Sequence, residues 1–519
     1  MTGELHSMKK IGERTVNNAL FNAASGVLPL ILSFIFWPYI VEQLGNSSYG
    51  IFALVTTVIG YFSLLDLGLG DAVVKYVAEY AGKDTEHTEE IVGVALSVFL
   101  ATGLIGVLII LSIARVLATD LLKIPPDLVD VAYHSFCAAS LGFFLTMLLT
   151  LFTAITNGLS RYDISSSAMA VMGMATTLGA VLLLRAGFGL IHLVWLNVLI
   201  PLLVVIFYFM MVRRLMPSIT FRMRLKKKTF KKIMHFGMFT MLGRVTGVIF
   251  GQVNLLVIGA MLGVASVTYY VIPFTILNRL TCLIGRISAV IFPAVSELQG
   301  LNRHDTVREL YLTTSRIILS FSAAFMVPLL VFGVRFLHLW MDPEFAERGG
   351  LVLQILTVGV FLTLCTNVPT FVVNGMGHPK ISGIAAISTA TVFLILMIPG
   401  AIWGGIVGIA AANLLSISII APLFIRYVNC KVLGLTLRQL LSESYLRPLL
   451  AAVLVAIPLV LVPQEHIGNL FVLLAVMGTG MCLYFLIALL LGVYQERERR
   501  VLLAYLKQIW LRFRKTPAS

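Results

Sequence analysis

Fourteen stretches of about 20 apolar residues follow one another through this chain, separated by short polar links, and nothing limits its folding more than that repetition. Hydrocarbon offers no hydrogen-bond partner to N–H or C=O, so runs of this length must satisfy their own backbone as helices. They lie near 17–39, 49–74, 91–117, 131–157, 164–184, 188–212, 233–262, 266–295, 310–334, 349–373, 381–400, 403–425, 446–463 and 468–492. Of the 519 residues 59% are hydrophobic and only 12% charged, about half the charge of a soluble domain. The expected fold class is therefore an all-α polytopic membrane protein with about 14 transmembrane helices.

The remaining charge is lopsided: 38 Lys and Arg against 24 Asp and Glu leave a formal net charge of +14. In a soluble protein that excess would suggest nucleic acid; here retention of Lys and Arg in cytoplasmic loops accounts for it, and no nucleic-acid partner is expected. With the N-terminus inside, 29 basic residues fall in inside segments and five outside, namely Arg115, Lys123, Arg185, Arg335 and Arg348. This contrast predicts a multi-pass protein of the cell (inner) membrane with both termini cytoplasmic. Lys9, Lys10 and Arg14 precede an apolar run too long for a signal peptide and without an A-x-A site, so an uncleaved first span is expected. Cys137, Cys282, Cys365, Cys430 and Cys482 lack CxxC spacing, and neither disulfides, a metal site nor a cofactor is expected.

Two motifs recur. Leu44-Gly45-x-x-Ser48 returns 218 residues later as Leu262-Gly263-x-x-Ser266, and Asn157-Gly158 with Ile164-Ser165 returns 217 residues later as Asn374-Gly375 with Ile381-Ser382. Together they predict two parallel six-helix halves, with a transport site between them near the midplane. The expected organisation is a cytoplasmic N-terminus (1–16), a first half (17–212), a basic linker (213–232), a second half (233–428), two additional helices (446–492) and a basic amphipathic tail (493–519). The linker's nine basic residues would lie on the anionic inner leaflet. In the tail, Leu502, Leu506, Ile509, Trp510 and Phe513 fall at helical spacing, as in an interfacial helix.

Four arginines fall inside spans, all in the second half: Arg244, Arg279, Arg286 and Arg316. Every acid between 233 and 463 (Glu297, Asp305, Glu309, Asp342, Glu344, Glu347 and Glu443) lies outside the spans, so none is offered there as a partner. A central arginine costs at least ~2.5–3.5 kcal/mol to insert, so such residues snorkel to an interface or line water. Arg244 and Arg279 lie roughly 16–20 Å along their helices, a depth that favours a hydrated cavity; for Arg286 and Arg316, nearer the cytoplasmic edge, both readings stand. Fixed positive charge without carboxylates suits an anionic substrate, phosphate or pyrophosphate above all. Asp71, Lys75 and Glu79 follow at i, i+4, i+8 and are expected to pair with one another. Asp66 lacks so evident a partner and could titrate or meet a second-half arginine. Gly243, Gly247 and Gly251 read as a close-packing face. No G-x-x-x-x-G-K-[ST] loop, nucleophile elbow or H-E-x-x-H occurs, so neither direct ATP coupling nor an enzyme is expected.

The run Leu28-Pro29 through Phe36-Trp37-Pro38-Tyr39-Ile40, then Leu44-Gly45, Tyr49-Gly50-Ile51-Phe52 and Tyr61-Phe62-Ser63-Leu64-Leu65-Asp66-Leu67-Gly68-Leu69 resembles the polysaccharide-export (O-antigen or exopolysaccharide type) flippases of the multidrug/oligosaccharidyl-lipid/polysaccharide (MOP) superfamily. His235-Phe236-Gly237, Val257-Ile258-Gly259 to Leu262-Gly263 and Tyr269-Tyr270 extend the resemblance more loosely, to about residues 15–430. It implies transport of a polyprenyl-pyrophosphate-linked oligosaccharide from the inner to the outer leaflet by alternating access. Arg244, Arg279, Arg286 and Arg316 are then the candidate substrate-binding residues. Asp66 and Asn254 are candidates for coupling or gating, Asn254 standing where an acid is often expected. Physics concurs: each sugar hydroxyl costs ~4–8 kcal/mol to strip into hydrocarbon, so a glycan needs a wet path. Membrane lipids and other polysaccharide assembly proteins are expected partners. The alternatives are an ion-coupled drug or metabolite antiporter of the same superfamily, which would show cavity carboxylates, and a membrane glycan polymerase or ligase, which would show a large outer loop.

Overall fold

The computed structural model describes residues 28–494 except 225, 249–251 and 290, and in one helix omits the side chains of Phe236 and of residues 239–248. The expected interfacial tail, the first part of span 1 and the glycine face of span 7 lie outside the described residues. The chain forms helices α1 (Leu28–Leu44), α2 (Asn46–Phe62), α3 (Leu69–Tyr80), α4 (Thr85–Val116), α5 (Val129–Gly158), α6 (Tyr162–Arg185), α7 (Leu190–Leu215), α8 (Lys227–Val248) and α9 (Asn254–Leu262). There follow α10 (Val264–Ser288), α11 (Ile291–Gly300), α12 (His304–Trp340), α13 (Pro343–Gly375), α14 (Pro379–Tyr427), α15 (Leu437–Leu440), α16 (Leu446–Val460) and α17 (Leu470–Leu490). No strand occurs among the described residues, and 11 of their helices are long and apolar enough to cross a bilayer. This is the polytopic all-α membrane fold that the apolar runs predict.

The number 14 itself rests on the sequence map. Spans 11 and 12 share the continuous run α14, which reverses at Gly405 (φ 56, ψ −137). Gly400 and Gly408 then meet backbone to backbone, where eight residues of straight helix would hold them ~12 Å apart. Trp403, at the reversal, is 86% exposed, as suits an aromatic side chain at a membrane interface.

The helices group into two compact units, Met1–Val271 and Ile272–Ser519. In the first, α5 is the central member, packed against α2, α3, α4, α6 and α7, while α8 lies on α3 and α4. At one end Trp37 Nε1 donates to the Tyr49 hydroxyl (2.5 Å), joining two of the motifs quoted above. There too the Asn46 amide donates to Tyr269 Oη (2.8 Å) and the Thr268 hydroxyl donates to the Asn46 carbonyl (2.7 Å), so α2 and the start of α10 cross in direct contact.

In the second unit α13 packs between α12 and α14, and the hairpin α16–α17 rests on α12. Polar clamps fix that hairpin to α12 at both the hairpin's base and its turn. Arg316 Nη1 donates to the Glu443 carbonyl (3.0 Å) and Ser444 Oγ to the Leu312 carbonyl (2.8 Å) at one end. At the other, Arg335 Nη2 donates to the Ile467 carbonyl (2.8 Å) and Gln464 Nε2 to the Val331 carbonyl (3.2 Å). Nineteen residues separate the two arginines, about 28 Å of helix, close to the thickness of a hydrocarbon core.

Local geometry repeats at the offsets the motifs predict. Gly45 (φ 76) and Gly263 (φ 90) make the same break between consecutive helices. Ser165 Oγ donates to Asn157 Oδ1 (2.7 Å), and Ser382 Oγ donates to Asn374 Oδ1 (2.6 Å). A Cβ on Gly158 would meet the Val77 Cβ at 2.8 Å and the Val74 carbonyl at 3.0 Å; one on Gly375 would meet the Val295 Cβ at 2.9 Å and the Phe292 carbonyl at 3.0 Å. Both partner pairs are again 218 residues apart. Each glycine lets its helix end rest against a neighbouring backbone, at equivalent places in the two units.

Candidate functional site

Arg279 and Arg286 are the two in-span arginines that the structure leaves open. Both side chains are exposed on α10, and neither makes a hydrogen bond or ion pair with the described residues. Seven residues are almost two helical turns, so the guanidiniums share one face about 10 Å apart. Asn278 and Cys282 are exposed on the same stretch, and Gly285 leaves open space beside Arg286. In the second unit the described ion pairs are Arg308–Asp305 and Arg348–Glu344, and neither includes Arg279 or Arg286. Guanidiniums with no carboxylate partner among the described residues line water or reach an interface, and in either setting they have N–H groups to offer an anion in pairs.

The structure does not bring Arg316 to such a surface. Its side chain is 4% exposed, and the guanidinium holds the turn that begins the C-terminal hairpin. Its partner, a backbone carbonyl 127 residues away, leaves no mark in the sequence. Arg244 lies on α8, with its side chain outside the described residues.

Asp66 and Asn254 are both buried and both engaged. Asp66 closes a single helical turn (Ser63–Asp66), after which Leu67 (φ 52) and Gly68 (φ 70) are left-handed. The Gly68 N–H donates to Asp66 Oδ1 (2.8 Å), an Asx-type turn that fixes the break between α2 and α3. Gly237 of α8 sits against it: a Cβ there would meet the Leu67 carbonyl at 2.6 Å. The quoted motifs around Asp66 and Gly237 thus form one backbone-to-backbone contact. Asn254 opens α9, donates through Nδ2 to Tyr270 Oη (3.3 Å) and accepts from the Leu255 N–H (2.9 Å), tying α9 to α10. Lys75 lies 5.2 Å from the Tyr76 ring centroid, and both Lys75 and Asp71 have partners. The described residues hold no cluster of His, Cys, Asp or Glu suited to a metal ion.

Sequence reasoning missed a polar seam at the other end of the first unit. Glu89 and Glu90, at the start of α4, grip the link between α7 and α8: Arg224 Nη2 lies 3.2 Å from Glu89 and Lys226 Nζ 2.6 Å from Glu90. The adjacent acids just before span 3 were its signal.

Residues 15–299 match the family described as polysaccharide biosynthesis protein, more than half of the chain. The Bacillus subtilis (strain 168) protein called uncharacterized membrane protein EpsK is 26% identical over 453 residues, covering 83% of this chain and 86% of that one. A putative O-antigen transporter of Shigella flexneri is 18% identical over 393 residues, 74% and 90% of the two chains. Among solved structures, the lipid II flippase MurJ in an inward closed conformation superposes with a TM-score of 0.69 at 14% identity, over 92% of this chain and 99% of that one, and so shares the fold. The chain belongs to the polysaccharide biosynthesis protein family.

Proposed function

We propose that this protein is a flippase rather than an enzyme, moving a polyprenyl-pyrophosphate-linked oligosaccharide from the inner to the outer leaflet of the cell membrane. The observation that carries the proposal is that Arg279 and Arg286 stand exposed on one face of α10 with no acid paired to them among the described residues. Counted from Val264, Arg279 lies about 22 Å and Arg286 about 33 Å along the helix. With the termini cytoplasmic, Arg286 stands at the inner edge and Arg279 deeper, an order suited to receiving a pyrophosphate from the inner leaflet. Arg244 is the third member of this set. The lipid tail stays in the bilayer while the glycan follows the wet face. Coupling or gating falls to Asp66 and Asn254, whose bonds hold the breaks between consecutive helices.

Transport proceeds by alternating access between the two six-helix repeats, 17–212 and 233–428. The repeated local geometry supports that division. The crossing of Asn46 with Thr268 and Tyr269 is read as a closed outer latch, since both helices begin at the outer side of the topology. Oxidising an Asn46→Cys/Thr268→Cys pair should stop export, and reduction should restore it.

Depleting the protein and following lipid-linked intermediates by mass spectrometry tests the substrate. Accumulation of a polyprenyl-pyrophosphate oligosaccharide, relieved by the wild-type chain but not by Arg279→Ala, is expected. Full relief by Arg279→Ala and by Arg286→Ala at normal protein level would rule out the arginine face and favour an antiporter of the same superfamily.

A further inference from the structure

Residues 213–232, which join α7 to α8, carry nine basic residues, and the structure sorts the seven beyond α7 into two sets. Phe221 anchors the link, its ring centroid 5.4 Å from that of Phe209 and 6.1 Å from that of Phe152. The chain then runs extended along the first turns of α4, so close that a Cβ on Gly93 would meet the Arg222 carbonyl at 2.6 Å. The Arg224 N–H donates to the Gly93 carbonyl (3.4 Å), and the Ser97 hydroxyl donates to the Arg224 carbonyl (3.2 Å). Thr220 and Arg224 turn to Glu89, and Lys226 and Thr229 to Glu90. Lys232 donates to Tyr80 Oη (2.9 Å) and lies over the Tyr76 ring (4.5 Å). These cations are consumed in holding the strap down.

The side chains of Arg222, Lys227, Lys228 and Lys231 are exposed and make no hydrogen bond or ion pair with the described residues. Between them stand two exposed apolar side chains, Met223 (69% exposed) and Phe230 (36%). The strap follows the end of α7 and rests on the start of α4, both apolar enough to span a membrane, so it lies at the level of the headgroups. We propose that this outer set is a docking surface for the anionic phospholipids of the inner leaflet, with Met223 and Phe230 entering the acyl boundary. A site for a free phosphate would converge guanidinium and N–H donors on one point. Here four cations, three of them lysines, are spread along the link with apolar residues among them, which matches a charged sheet. The seam at Glu89 and Glu90 makes the surface rigid, so lipid bound there would hold α3, α4 and α8 at a fixed height.

The purified full-length protein in nanodiscs of phosphatidylcholine mixed with phosphatidylglycerol provides the test, with the lipids retained after delipidation counted by native mass spectrometry. A basic residue near such a surface multiplies anionic preference about fivefold, so Lys227→Gln/Lys228→Gln/Lys231→Gln should cut phosphatidylglycerol enrichment by up to roughly a hundredfold. Phe230→Ala should reduce retention with the charge intact. The wild-type protein alone gives an independent reading, because raising the salt should erode its enrichment. Equal enrichment in the triple variant would overturn the proposal. So would displacement of phosphatidylglycerol by millimolar inorganic pyrophosphate, which would mark a converging anion site instead.

Discussion

Arg279 and Arg316 are the same side chain in two employments, and truncating each should separate binding from architecture. Arg316 is 4% exposed and donates to the Glu443 carbonyl at 3.0 Å. A hydrogen bond from a charged group contributes about 1.5–3 kcal/mol, and the buried methylenes of the stem add about 0.8 kcal/mol each. Arg316→Ala should therefore cost about 3–5 kcal/mol and loosen the attachment of the hairpin α16–α17 to α12. Arg279 makes no such bond with the described residues, so Arg279→Ala should leave stability unchanged while abolishing export. The assay is thermal unfolding of the purified protein in detergent, followed by a thiol-reactive dye that reports exposure of cysteines such as Cys365, alongside export measured at matched protein level. Arg316→Lys should recover part of the lost stability, and Arg279→Lys part of the export, because lysine keeps the charge but not the planar fork. The reasoning fails if Arg316→Ala melts like the wild type, or if Arg279→Ala loses export only in proportion to lost protein.

Gly158→Ala and Gly375→Ala should each cost about 1–3 kcal/mol by thermal unfolding, since both added methyl groups meet valine and carbonyl atoms at 3.0 Å or less; a large cost at one and none at the other would break the equivalence of the two packings. Reporters fused after Lys83, Arg161, Lys228, Lys380 and Arg438 should read cytoplasm, and after Asp127 and Asp342 the outside, any clear reversal refuting the span map. Asp84 accepts from the His87 N–H (2.9 Å) at the start of α4, and this bond, with the adjacent His87 ring, holds its carboxyl below the ordinary carboxylate range. A depressed folded value means that the contribution is present above the unfolded value and lost as pH falls through the folded one. Asp84→Ala should accordingly raise hydrogen exchange over residues 85–90 at neutral pH and change little in strong acid.

The helices were legible because hydrocarbon demands about 20 apolar residues per crossing, a demand that composition alone displays. The repeat was legible in Asn157–Ser165 and Asn374–Ser382 because the same eight-residue hydrogen bond needs the same two residue types in both places. The role of Arg316 was not, because every residue offers a carbonyl and none signals which one will be used. The seam of Glu89 and Glu90 with Arg224 and Lys226 was hidden by separation, its partners lying more than 130 residues apart. Asp66 was legible in principle: Asp-x-Gly between two helical runs is a turn signal, and its first partner is the N–H two residues on.

The repeated local geometry sets Arg316 apart from Arg279 and Arg286. In the first unit Ser97 of α4 bonds to the backbone of Arg224, in the link between α7 and α8. In the second, Arg316 of α12 bonds to the backbone of Glu443, in the turn that precedes α16. Ser97 to Arg316 is 219 residues, and so is Arg224 to Glu443. One arrangement therefore occurs in both units: a later turn folds back along a long helix, α4 or α12, and is held there by a side chain at an equivalent position. Arg316 is spent on joining two segments of its own unit, at the position where the first unit has Ser97. Arg279 and Arg286 stand 218 residues after Tyr61 and Gly68 and keep their guanidiniums exposed, with no bond to the described residues.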